Sequence, residues 1–388
     1  MELEIVKLVS LLIVFANLLL AAFLFTVRTE NLKSNIILAA FLLVSSIDSD
    51  RALLMPYVYE NYPALALFFS SLVFLKSPLL FLYILSVTYS DFKFQPKHLW
   101  HLVLFILINI MLIPGFYSTG FEKQMEYLQS MNYNKRHIEI QLTYIFLHIQ
   151  IFLYLFLAFL SVNRYRKILL ENYSNASLFN YKFLFQFLVI FTIGSIIATF
   201  KNIFMFFSTE NVYYISLVIT VFIGLVYIIW LVMKALKHPE LFRGVDSKLQ
   251  LVSSILKDKA ESDINLLEEN HLNKKLNEDV QLLTNYMTKN KPYLDPSLSI
   301  YQLAKQLDYS TKDLSVLINN SLNQHFFDFV NGYRIREAME LLSNTSKKEF
   351  TILEILYDVG FNSKSSFNTA FKKHSGLTPT EYRKKHLK

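Results

Sequence analysis

The chain has 388 residues, 53% apolar and 18% charged, with a net charge of +7 and no cysteine. Without cysteine it forms no disulfide, no thiolate metal site and no thiol nucleophile. Its eight glycines build no phosphate-cradling loop, and no HExxH, GxSxG or Walker pattern occurs, so neither an enzyme nor a cofactor is implied.

Charge is unevenly spread along the chain. Residues 1–244 hold 18 Lys/Arg and 13 Asp/Glu, whereas the 144 residues of 245–388 hold 20 and 18, about twice the density. The 35 Phe and 23 Tyr therefore describe mainly the first part.

From the N-terminus, apolar runs recur at lengths that match a hydrocarbon core of about 30 Å, or about 20 helical residues. Seven are predicted: 5–27, 35–55, 62–89, 97–115, 138–162, 183–207 and 212–236. The first is too long, and lacks the small-residue cleavage site, to be a removable signal peptide. Cations in the loops set the orientation. Arg28, Lys33, Lys93, Lys97, Arg164, Arg166, Lys167, Lys182, Lys234, Lys237 and Arg243 fall on one side, and Lys123, Lys135 and Arg136 on the other. That bias of 11 to 3 puts the N-terminus outside and the C-terminus in the cytosol of a cytoplasmic-membrane protein.

Polar groups interrupt these runs: Asp48, Asp50 and Arg51 in the second, Lys76 in the third and Lys201 in the sixth. A charge at membrane depth costs a few kcal/mol or more unless it meets a partner or a wet cavity. Two readings follow, a pocket for an anionic or zwitterionic ligand and an internal set of ion pairs that fixes helix packing. His101 and His148 lack metal-ligating company and read as packing or interface residues. Pro78 is expected to kink the third run.

Residues 245–289 form a connector that is partly helical. Within it Leu272, Leu276, Val280, Leu283 and Met287 recur at helical spacing, a stripe that can dock on the next domain or pair with a second copy. Residues 290–388 then read as a purely helical domain, so the whole chain is all-α: a seven-helix transmembrane domain over 1–244, the connector, and a cytosolic module.

In that module a helix at 299–307, a turn at Asp308–Thr311 and a helix N-capped by Ser310 give one helix-turn-helix. Leu314, Leu317 and Ile318 face inward, leaving Thr311, Lys312, Ser315, Val316 and Asn319 on the open face. A long helix at 325–344 follows. The pattern then repeats, with a helix at 351–358, a turn through Gly360 and a helix from 364 to about 374 that Ser363 N-caps. Phe367, Ala370 and Phe371 peg that last helix, with Lys364, Ser365, Asn368, Thr369 and Lys372 outward. Such short, polar and cationic faces fit a major groove about 12 Å wide, and two on one rigid link can enter successive turns about 34 Å apart.

The segments "LSIYQLAKQLDYSTKDLSVLIN", "YRIREAMELL" and "TILEILYDVGFNSKSSFNTAFKKHSGLTPTEYRK" resemble the DNA-binding domain of AraC/XylS-type transcriptional regulators over residues 292–385. The resemblance implies two helix-turn-helix units that read double-stranded promoter DNA. A membrane region joined to this domain is similar to a subgroup of membrane-embedded regulators. Val316 and Thr369 stand where family members often carry an Arg, so base reading is expected from Lys312, Ser315, Val316, Asn319, Lys364, Ser365, Asn368 and Thr369. Phosphate contacts are expected from Lys372, Lys373, Arg383 and Lys384. The implied protein is a one-component regulator in the bilayer, answering a small-molecule or envelope signal, with the connector able to serve a homodimer. The alternatives are a transporter-like membrane protein with a regulatory DNA-binding domain and a regulator released by proteolysis.

Overall fold

A computed structural model describes residues 2–26, 32–50, 54–89, 92–133, 138–174, 178–207, 209–237, 269–344 and 350–386. Arg51, the loop cations Arg28, Lys135, Arg136 and Arg243, and the connector up to residue 268 lie outside the described residues. Among the described residues the regular elements are all helices, joined by short loops with an isolated β-bridge between Tyr173 and Ser299, and they fall into two compact units. The first comprises residues 1–163 and 179–247, and the second comprises residues 164–178 and 248–388.

In the first unit, six helical stretches are long and apolar enough to cross a membrane: Glu4–Thr26, Leu32–Ser49, Pro63–Thr88, Gln141–Asn172, Tyr181–Phe207 and Asn211–Ala235. The fourth of these belongs to one continuous helix, Ile138–Asn172, whose last nine residues group with the second unit. The expected run at 97–115 is the shorter apolar helix Pro96–Met111, so among the described residues six of the seven expected runs reach spanning length. The cause is local. Pro96 opens a tight 3-10 turn through Leu102, and Pro114 and Gly115 sit in a wide π-type turn, Ile113–Tyr117, that closes the helix.

Large apolar side chains cover the outside of this unit. Phe15 is 64% exposed, Phe156 61% and Val226 65%, which in water would be an aggregation surface and in lipid is a solvated one. The Pro63–Thr88 stretch is not one regular helix. It tightens into a 3-10 turn at Leu72–Leu75, one turn before Pro78. Proline has no N–H to give to the carbonyl four residues back, that of Phe74, and its ring crowds that carbonyl. The Phe74 oxygen accepts instead from Gln150 Nε2, 3.1 Å away on the Ile138–Asn172 helix.

The second unit has two cores threaded on one helix. The helix Phe326–Ser343 gives Phe326, Phe329 and Val330 to the first core, with Leu303, Leu314 and Ile318. It gives Ile335, Ala338 and Leu342 to the second, with Leu356, Phe367 and Phe371. The preceding helix, Glu269–Asn290, lays Leu283 and Met287 fully into the first core, with Leu276 and Val280 partly buried beside them. Tyr309 pins this helix by donating its hydroxyl to Asp279 at 2.5 Å, and burial together with Asp279 pushes the phenol up to about 12.

Candidate nucleic-acid interface

Each core presents one short reading helix, positioned by side-chain caps. The first helix-turn-helix starts at Ile300–Leu307, where Ser299 and Gln302 satisfy each other's backbone N–H groups in a capping box. Its turn passes through Asp308 in the left-handed conformation, φ 58°, which Asp adopts more readily than most residues. Ser310 then caps Thr311–Val316, accepting from the Asp313 N–H at 3.0 Å. That helix does not run on regularly, because a wide turn replaces it over Leu317–Ser321. The second unit has a capping box of Thr351 and Glu354 on Ile352–Asp358, a turn through Gly360, and Ser363 capping Lys364–Ser375.

Lys312 is exposed near the start of the first reading helix, and Lys364 and Ser365 are exposed at the start of the second. A lysine in the first helical turn faces the positive end of the helix dipole, which disfavours it. Local stability therefore gives no reason for these cations, whereas a phosphate-lined groove does. Val316 and Asn368 are half-buried, and Thr369 is exposed but ties its hydroxyl to the Ser365 carbonyl at 2.8 Å. Asn319 spends its amide on the Ser315 carbonyl at 2.9 Å and its carbonyl oxygen on the His325 ring at 3.2 Å. Ser315 departs from the expected open face, being only 6% exposed. The wide turn at Leu317–Ser321 follows directly on its helix.

Of the expected phosphate contacts, Lys372 and Lys384 are exposed. Lys373 is engaged with Asp328 of the long helix at 2.6 Å. Arg383 is half-buried, with Nε and Nη2 shielded and lacking hydrogen-bond partners. Asn368, Thr369, Lys372, Lys373 and Thr378 together line a shallow depression beside the second reading helix.

Behind the reading faces lies Arg334, fully buried. Its Nε donates to the Tyr293 carbonyl at 2.6 Å and its Nη2 to the Asp295 carbonyl at 2.7 Å. The guanidinium also lies 5.6 Å from the ring centre of Phe361 in the second unit's turn. Burial lowers its pKa to about 10, partly offset by Asp295, so it is charged at neutral pH. Gly360 seals the same junction, because a Cβ there would stand 2.7 Å from the carbonyl oxygens of Tyr293 and Leu294.

In the first unit, Asp48, Asp50, Lys76 and Lys201 line one cavity of about 430 Å³. Lys76 and Asp48 form an ion pair at 2.7 Å, and Asp50 accepts from the N–H groups of Leu54 and Met55 at 2.7 and 3.0 Å, capping the short helix Leu54–Asn61. Sequence reasoning missed the neutral part of this lining. His148 bridges Thr199 and Asn202 at 3.0 and 3.1 Å. The hydroxyls of Ser45, Ser77 and Tyr227 and the Asn202 Oδ1 are buried in the lining without hydrogen-bond partners. A serine or asparagine in an apolar helix carries no face information until the neighbouring helices are placed, so only the formal charges were legible.

Residues 303–385 match the family described as a helix-turn-helix domain. Over 93 residues the chain is 30% identical to the uncharacterized transcriptional regulatory protein YesN of Bacillus subtilis (strain 168), a match covering 24% of this chain and 25% of that protein. Over 90 residues it is 29% identical to the melibiose operon regulatory protein of Escherichia coli (strain K12), covering 23% and 29%. Among solved structures, the C-terminal domain of AraT, a response regulator from Geobacillus stearothermophilus, is 30% identical over 27% of this chain and 84% of that one, with a TM-score of 0.24. The chain thus spans about a quarter to a third of the length of the curated relatives it matches.

Proposed function

From the helix-turn-helix domain of the AraC type that the C-terminal segment carries, in common with transcriptional regulators, we propose that the whole chain is a membrane-embedded, one-component transcriptional regulator. The observation that carries the reading is the pair of capped, lysine-led reading helices mounted on two cores of one continuous helix. Lys312, Asn319, Lys364, Ser365, Asn368 and Thr369 face bases, with Val316 at the edge of that face. Lys372 and Lys384 hold phosphate. Ser315 orients Asn319 rather than touching DNA, and Lys373 reaches phosphate by exchanging Asp328 for it.

The membrane part is read as seven passes with the N-terminus outside, Pro96–Met111 serving as a short fourth pass. Its 3-10 and α segments rise about 27 Å together, close to the hydrocarbon thickness. The odd number agrees with the cation bias and leaves the reader in the cytosol. The signal enters the 430 Å³ cavity. Its ionic groups, two Asp and two Lys, balance, and the hydroxyls and amide oxygen supply unmet hydrogen bonds. This lining suits a neutral or zwitterionic small molecule over a net anion. A signal shifts the protein only by binding its two states unequally.

The test is enrichment of a random duplex library on the purified full chain in nanodiscs, followed by footprinting at moderate salt. Two protected patches about one helical turn apart are expected. Failure to enrich any sequence over the starting library refutes the reading.

A further inference from the structure

The reader contains a piece of chain that the helix-turn-helix match does not cover. Tyr173 and Ser174, which follow the Ile138–Asn172 helix, group with the second unit. Tyr173 forms an isolated antiparallel bridge with Ser299, the N-cap of the first helix-turn-helix. Ser174 is fully buried. Its N–H and its hydroxyl both donate to the Leu298 carbonyl, at 3.2 and 2.5 Å. Its own carbonyl accepts from Arg334 Nη1 at 3.1 Å and from Asn331 Nδ2 at 3.3 Å, and its Oγ accepts from Arg334 Nη2 at 3.1 Å.

We propose that the 173–174 segment is a docking element that clamps the junction of the two DNA-reading units and thereby sets their geometry. It occupies the one guanidinium that also touches the base of the first unit, at Tyr293 and Asp295, and the turn of the second, at Phe361. Ser174 supplies acceptors to both terminal nitrogens of that group, so withdrawing it strands N–H bonds in a dry site. The clamp does not mask the readers, because Lys312, Lys364, Ser365 and Thr369 are exposed while it is seated. The docked form is therefore the DNA-competent one, with the two units held in a fixed relation before DNA arrives. The helix that ends in this element also lines the cavity, through Tyr144, Leu147, His148 and Ile151. One continuous helix thus carries both a signal-facing surface and the clamp. The coupling to DNA rests on the DNA-reading function proposed above; the docking itself does not.

The chain has no cysteine, which makes the test direct. The Ser174 N–H to Leu298 carbonyl bond flanks Tyr173 and Ser299, making them a non-hydrogen-bonded antiparallel pair, with Cα atoms about 4.5 Å apart. That spacing lies in the range a disulfide bridges. In membranes holding the full chain, Tyr173→Cys with Ser299→Cys should cross-link under mild oxidant, while either single variant should not. In nanodiscs, the oxidised pair should bind the enriched duplex at least as tightly as its reduced form. Ser174→Trp, too large for a buried position, should lose about tenfold in affinity, within the usual span of allosteric coupling. Ser174→Ala keeps the carbonyl contacts and should lose less, about threefold, the size expected for losing the hydroxyl's hydrogen bonds; it decides the matter if the Trp variant fails to fold. No cross-link in a chain that binds DNA normally, or a cross-link with both Ser174 variants binding like the parent, overturns the proposal. A cross-link in the double-cysteine chain, with a parent that enriches no duplex, refutes the DNA-reading function and, with it, the coupling, leaving a purely structural dock.

Discussion

At Gly360 the backbone turns through φ 89° while an added Cβ would stand 2.7 Å from the carbonyl oxygens of both Tyr293 and Leu294. Both penalties act on backbone, which cannot swing aside as a side chain can. Gly360→Ala is expected to destabilise the reader by about 2–3 kcal/mol, the cost of a strained backbone position with a steric contact added, measurable by pulse proteolysis of the second unit in urea. Asp308 holds the matching position in the first turn at φ 58° with a side chain in place. The two lysine classes should separate in DNA binding. Lys364→Ala should cost about 1–3 kcal/mol on the preferred duplex and little on a scrambled one, whereas Lys372→Ala should weaken both alike and flatten the salt dependence by about one unit of slope. Equal losses on both duplexes for Lys364→Ala would remove it from base reading. Thr369 is a poor substitute for an arginine there, since its hydroxyl proton is already given to Ser365.

At the scale of single helices, capping does much of the positioning, and two caps titrate. Glu354 accepts from the Thr351 N–H at 2.6 Å, and Glu381 accepts from the Thr378 N–H and hydroxyl, both at 2.8 Å. These hydrogen bonds hold both carboxyls below their usual range. A group whose folded pKa is depressed stabilises fully above its unfolded pKa, about 4.3 for Glu, and loses that contribution as pH falls through the folded value. The second reading unit should therefore melt earlier as pH drops below about 4.3, and replacing both residues by Gln should flatten that dependence. A double variant that keeps the parent's acid slope would assign the effect elsewhere.

The same helices show what a sequence can tell. Serine or threonine three residues before a glutamate, and the Phe367–Phe371 pegs, are local signals, and the helices and turn of the second helix-turn-helix were readable from them. The loss of the first reading helix after Val316 and the burial of Ser315 were not, because they follow from packing against helices elsewhere in the chain. Pro78 was legible as a break. Its consequence was not, since the carbonyl it frees finds its partner 76 positions away, at Gln150.

For the whole molecule, the six long apolar stretches follow from composition, but the fourth predicted pass rests on a segment that two prolines shorten. Single cysteines resolve it. Ser118→Cys should react with a membrane-impermeant maleimide in intact cells, and Lys93→Cys only after permeabilisation; labelling of both on the same side would remove Pro96–Met111 as a pass. The clamp at Ser174 was invisible to sequence reading for a plainer reason. Its partners lie 124 to 160 positions away, and a lone serine after a long apolar helix has no pattern to betray it.

That separation has a kinetic side. Ser174 leaves the ribosome long before Leu298 and Arg334, so its contacts cannot form until the chain has been made through Arg334. Ring closure over so long a stretch carries a large entropy cost, and contacts of this kind form late. On the proposed membrane reading, a chain whose Ile138–Asn172 helix goes astray would withhold Ser174 and leave Arg334 short of acceptors, making maturation of the reader a check on insertion of the helices made before it. We expect chains arrested before insertion to be cut by protease within 292–361 at sites the inserted protein protects; equal protection in both would dissolve that link.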